Sequence, residues 1–237
     1  MRKFCVLTIG RAGSTALMDC LARYPDIALP GKNIECIDQE LVHPARIGAQ
    51  AAAYARLCGT TIATPDQLID AFFAFNGSAA FAGFKTMPNR HRNLEAFVSR
   101  PDIRFITLSR LDLASTVASF LVAMATDSWR RQGGAQTARW TFDVQRDAAA
   151  VAGNLRYVLN SAAQLRRVPD AIALTYEDLC RPEFSDPALD AFFGRPIRLD
   201  DPKPPTSAET YVSNWPEFLA FIEAQQRELT ARAGRQP

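Results

Sequence analysis

The stretch LTIGRAGSTALMD, residues 7–19, joins an apolar run to a helix-like run through a turn. That turn holds Arg11, two glycines and the hydroxyl pair Ser14 and Thr15. After a strand, such a turn can present the backbone N–H groups of Arg11, Ala12, Gly13, Ser14, Thr15 and Ala16 to an anion, and the start of the helix adds partial positive charge. Gly10 and Gly13 permit close backbone approach. Arg11 supplies a fixed charge and a planar donor fork. Taken alone, the stretch also fits a capped helix after a tight turn, with Arg11 in water. The Gly-Lys-Ser/Thr ending of the common nucleotide loop is absent, and no strand ends in an obvious magnesium-binding aspartate. Magnesium-dependent ATP or GTP hydrolysis is therefore disfavoured.

A second group lies in FITLSRLDLASTVAS, residues 105–119. Arg110 follows a strand-like run, and Ser119 comes nine residues later on the next helix. Together they can grip a second phosphate. The alternative is a surface arginine and a small packing serine. Lys85, in GFKTMPNR, ends another strand-like run and faces either a reacting group or water. His91 reads as a surface residue and Tyr176 as packing.

The elements that must position these residues alternate. Strands are expected over 3–9, 79–87, 102–110 and 171–176. Helices are expected over 14–24, 44–58, 65–76 and 143–167, with Thr64 and Pro65 as a start signal. A further helix carries Leu113, Val117, Phe120, Leu121 and Met124 on one face. A C-terminal tail helix begins near 215, with Asn214 and Glu217 as its capping pair. Residues 127–142 combine Gly-Gly with Arg130, Arg131, Arg139, Trp129 and Trp140, and read as a mobile loop or lid whose tryptophans stack on a sugar or tuck into the core. Lys203 and Ser207 sit in a proline-rich stretch that either reaches a nucleotide or serves as linker. The fold class is α/β: a central parallel sheet between helical layers, in one domain over 1–237. Ligands of such sheets bind at the carboxyl ends of the strands.

Composition narrows the classes. Apolar residues at 48% suffice for a large core, and a net charge of +2 does not suggest a nucleic-acid binder. Five cysteines without a C-x-x-C pair, and only two histidines, argue against zinc and for reduced thiols in the cytoplasm. The N-terminal apolar run is cut short by Arg11 and reads as a strand, not a signal peptide. No stretch is apolar enough to span a bilayer. Oligomeric state is not legible.

Together the motifs are more specific than either alone. IGRAGSTAL resembles the 5′-phosphosulfate loop of the 3′-phosphoadenylyl-sulfate (PAPS)-dependent sulfotransferases, in the branch with arginine in place of lysine. LSRLDLASTVAS resembles their 3′-phosphate motif, with the Arg–Ser spacing of the bacterial carbohydrate branch. ALTYEDL is similar to a late-strand motif of the family. The matching pieces span residues 3–180, about three quarters of the chain. The resemblance implies a P-loop-like three-layer α/β/α fold and transfer of a sulfuryl group from PAPS to an acceptor hydroxyl on a carbohydrate or glycolipid precursor. It implies that no metal is required. Residues 11–16 would hold the 5′-phosphosulfate, Arg110 and Ser119 the 3′-phosphate, and Arg11 would stabilise the departing phosphate.

The attacking alcohol also needs a base. Glu35, Glu40 and His43, in GKNIECIDQELVHP, are the candidates, in that order. Each also fits a helix-start position favoured by the dipole. A nucleotide kinase-like enzyme with an altered loop, and a non-catalytic module binding 3′-phosphoadenosine 5′-phosphate (PAP) or another anion, are the competing readings.

Overall fold

The central strand begins almost at the first residue. In a computed structural model describing residues 1–31, 39–126, 139–199 and 212–233, β1 spans Arg2–Thr8 and every position from Phe4 to Thr8 is buried. Consecutive buried positions mean that both faces of the sheet are covered. The other strands are β2 (Ile27–Ala28), β3 (Phe81–Thr86), β4 (Ile103–Ser109) and β5 (Ile172–Thr175). They form a five-stranded sheet in the order β2-β3-β1-β4-β5, and every pairing is parallel. The fold is thus α/β.

The order explains where a ligand belongs. From β1 the chain leaves toward β2; from its neighbour β4 it leaves toward β5 on the other side. The connections diverge at the carboxyl ends of these two strands, the place where sheets of this kind bind ligands. Thr8 is in register with Leu108 there, and the Ile9 N–H donates to the Leu108 carbonyl at 3.4 Å. The turns after residues 9 and 109 are therefore neighbours.

The helices are α1 (Ser14–Leu21), α2 (Ile47–Cys58), α3 (Pro65–Phe75), α4 (Leu94–Val98), α5 (Leu113–Thr126), α6 (Val144–Leu165), α7 (Tyr176–Leu179), α8 (Pro187–Phe193) and α9 (Trp215–Ala233). α3 starts as its sequence predicts. Thr64 accepts from the Gln67 N–H, Gln67 closes the capping box, and Pro65 takes the first position. α6 buries Val151, Leu155, Val158 and Leu165, one stripe at helical spacing. α1 is shorter than expected, because Arg23 and Tyr24 close tight turns onto Cys20 and Leu21. On α5, Val117 and Leu121 are buried, but Met124 is 55% exposed and leaves the expected apolar face. The short α4 and α8 carry too few residues to show a period.

Residues 127–138 of the expected lid lie outside the described residues, as do Lys203 and Ser207. Its end is packed. Trp140 bridges to Val212, and the Asn214 side chain bonds both the N–H and the carbonyl of Phe142, at 2.9 and 2.8 Å. Asn214 also donates to the Glu217 side chain at 2.7 Å, so the two residues meet, but side chain to side chain and not as the expected capping pair, because the Asn214 Oδ1 accepts from Phe142. The Trp140 ring meets Phe142 and Phe218, so among the two expected readings it is a packing residue. Cys5, Cys20, Cys58 and Cys180 are free thiols. Among the described residues no helix is long and apolar enough to cross a membrane.

Candidate anion-binding site

Two glycines shape the turn after β1. A Cβ on Gly10 would lie 2.5 Å from the Phe120 ring of α5, so only glycine lets the backbone pass so close. Gly13 has φ of 80° and stands before the first residue of α1. Arg11 also has positive φ, 67°, a conformation that non-glycine residues seldom hold and that concentrates at functional turns. No side chain caps α1, and its first turn has no acid. The leading N–H groups of the helix lack intrahelical partners and carry its positive end. Ala12 is buried, Ser14 and Thr15 are half-buried, and Ala16 is exposed.

Arg11, Arg110 and Ser119 converge on this turn. Arg11 Nε donates to Ser119 Oγ at 2.9 Å, and Arg110 Nη1 reaches the Arg11 carbonyl at 3.5 Å. The sequence pairs Ser119 with Arg110; in the structure the serine's hydroxyl accepts from Arg11, because one face of α5 runs alongside the turn. Arg110 is only 7% exposed. Its guanidinium lies over the Tyr176 ring, 4.4 Å from the centroid, and its Nε has no hydrogen-bond partner.

Lys85 reaches the same helix from β3. It is 5% exposed, and its Nζ donates to Thr15 Oγ1 at 3.3 Å. It is not the surface lysine that a strand end also allowed. Burial pushes its pKa down to about 8, against the raising influence of Glu40 and Asp19. Among the described residues, neither Lys85 nor Arg110 has a carboxylate partner within ion-pair distance. Lysine and arginine are almost never so deeply buried unless paired. Two such cations beside an uncapped helix start concentrate positive charge, a chemistry that suits an anion of several charges.

The segment proposed to supply a base adjoins Lys85. Glu40 pairs with Lys85 through the backbone: the Leu41 N–H donates to the Lys85 carbonyl at 3.0 Å, and the Lys85 N–H to that of Gln39 at 3.1 Å. The Glu40 carboxylate is buried and accepts from Arg90 Nε at 3.1 Å. Gln50, fully buried, donates to the Glu40 carbonyl and accepts from the Val42 N–H. That amide clamps a strained stretch, since Gln39 and the β-branched Val42 have φ of 57° and 65°. Glu35 lies outside the described residues.

His43 is half-buried, and its pKa lies below the usual value. Burial is the main cause; Glu40 opposes it, and Arg90 and Arg46 add to it. Its Nδ1 accepts from the Ala45 N–H at 3.2 Å. In the neutral ring this contact favours the proton on Nε2. His91 is half-buried, not a fully exposed surface residue. It stacks on Phe97 with ring centroids 3.9 Å apart and bonds Thr86, and burial pushes its pKa down to about 4. It buttresses the end of β3.

Arg90, Gln50 and Glu177 were not apparent from the sequence. Arg90 stands in the GFKTMPNR stretch, five residues after Lys85, where Pro88 turns the chain back. Glu177 accepts from the N–H groups of Leu111 and Asp112 at 3.1–3.2 Å, fixing the backbone after Arg110. The described residues contain no cluster able to hold a metal ion. No protein-family profile matches the sequence, and no curated protein matches it, so a functional reading rests on these residues themselves.

Proposed function

We propose that the protein is a sulfotransferase of P-loop-like three-layer α/β/α architecture, moving a sulfuryl group from PAPS to an acceptor hydroxyl of a carbohydrate or glycolipid precursor. The observation that supports this reading is the pair of buried cations Lys85 and Arg110, neither in ion-pair contact with a described carboxylate, with the uncapped start of α1 between the strand ends that bear them. PAPS is a nucleotide with anionic groups at two separate places, the 5′-phosphosulfate and the 3′-phosphate. The α1 turn, Arg11 and Lys85 suit the first; Arg110 suits the second. Free thiols in the described chain accord with a cytoplasmic setting.

In the proposed reaction the acceptor oxygen attacks sulfur as the bond from sulfur to the 5′-phosphate oxygen breaks. PAP departs with that oxygen, and the acceptor's proton passes to a carboxylate of the 35–40 segment, Glu35 or Glu40. Arg11 opposes the charge that builds on the departing phosphate. Removing one such donor commonly lowers turnover by roughly 10²–10³-fold. Arg11→Ala is therefore expected to lose PAP release by about that factor, measured with PAPS and a panel of sugar acceptors, and to keep the wild-type unfolding midpoint. Wild-type turnover in that variant would remove Arg11 from the mechanism. Magnesium-dependent ATP turnover in the same assay would favour the kinase-like alternative.

A further inference from the structure

Arg110 poses a problem that the donor reading does not answer. A buried guanidinium usually leans on a carboxylate, yet this one leans on a ring. Its charge lies 4.4 Å from the centroid of Tyr176, its Nε is unpartnered, and no acid pairs with it among the described residues. An aromatic face attracts a cation without neutralising it. A carboxylate in that place would hold the arginine equally well and cancel the charge that a phosphate needs.

The same ring touches the other anion motif. A Cβ on Gly13 would stand 2.8 Å from Tyr176 Cδ2, so the turn before α1 rests directly against the tyrosine. The ring itself is fixed from its own element. Thr175 and Asp178 close a capping box around α7, and Glu177 binds the two amides that follow Arg110. One short helix is thus fastened to both turns, with Tyr176 between Arg110 and Gly13.

From this arrangement we infer that Tyr176 is a positioning residue: its ring aims Arg110 and keeps its charge available, and so sets the preference for a nucleotide bearing a 3′-phosphate. The inference rests on the donor reading above. It requires the aromatic face, not the hydroxyl.

The test is calorimetric titration of the full chain with PAP and with adenosine 5′-phosphate. Tyr176→Phe should hold both affinities within about twofold, since the face is retained. Tyr176→Leu should lose roughly tenfold or more in PAP affinity, with adenosine 5′-phosphate changed by less than about threefold. Arg110→Lys keeps the charge but not the planar stack, and should lose the PAP preference likewise; it decides the matter if the leucine variant does not fold. A PAP preference that survives in Tyr176→Leu or Arg110→Lys, or equal losses for both nucleotides, would overturn the inference while leaving the donor reading intact. A wild-type protein without preference for PAP would overturn both.

Discussion

Burying an ammonium group with no carboxylate in ion-pair contact makes its proton sensitive to whatever binds. Lys85, with its pKa lowered to about 8 by burial, is neutral in much of the free protein above that pH. A bound phosphosulfate or phosphate favours the charged form and raises that pKa. Binding then takes up a proton, and affinity falls as pH rises through 8. If Lys85 contacts the anion, PAP affinity should drop about tenfold from pH 7 to pH 9. Titrations at both pH values, in two buffers of different ionisation enthalpy, should show proton uptake in the wild type and none from this source in Lys85→Met. A pH response unchanged in that variant would place Lys85 outside the anion site. The sign for stability is the reverse. The unfolded lysine keeps its proton to higher pH than the folded one, so this group's penalty is full below pH 8 and is relieved as pH rises toward 10.5. At this scale the sequence already singled out Arg11, Lys85, Glu40 and Arg110, because strand ends and glycine turns are local signals. Their partners were hidden. Ser119 meets Arg11 across 108 positions and Arg90 meets Glu40 across 50, and no local pattern encodes such pairs.

The turn between β1 and α1 decides how backbone groups face an anion. Gly13→Ala should destabilise the fold by about 1–2 kcal/mol from its left-handed backbone alone. The new Cβ would also press on the Tyr176 ring, 2.8 Å away. A lower urea midpoint together with weakened PAP binding is expected; an unchanged midpoint would mean that the turn adapts freely. The elements themselves were largely readable where composition and caps agree. Thr64 and Pro65 announce α3, and the apolar runs announce β1, β3 and β4. β2 has two residues and α7 four, too short for any periodicity, yet α7 is the element that fastens Arg110. The exposure of Met124 shows the same limit. A helical stripe predicts a face, but only the neighbouring chain decides how far along the helix that face stays covered.

For the whole molecule, the strand order is what turns scattered motifs into one site. Alternation of strands and helices made a parallel sheet legible, but not that β1 would sit between β3 and β4. That placement brings residues 10–15, Lys85 and Arg110 together at the carboxyl ends of three adjacent strands. It also sets the Glu40 strip beside the same strand ends through its backbone pairing with Lys85. Under the proposed function the donor site and the segment expected to hold the base would thus adjoin, as transfer between two substrates requires. The most direct measurement is calorimetric titration of the purified protein with PAP, set against adenosine 5′-phosphate and magnesium–ATP. Micromolar binding of PAP that is lost in Arg110→Ala, with much weaker binding of the nucleotide lacking the 3′-phosphate, is the predicted result. Absence of PAP binding, or a preference for magnesium–ATP, would contradict the account.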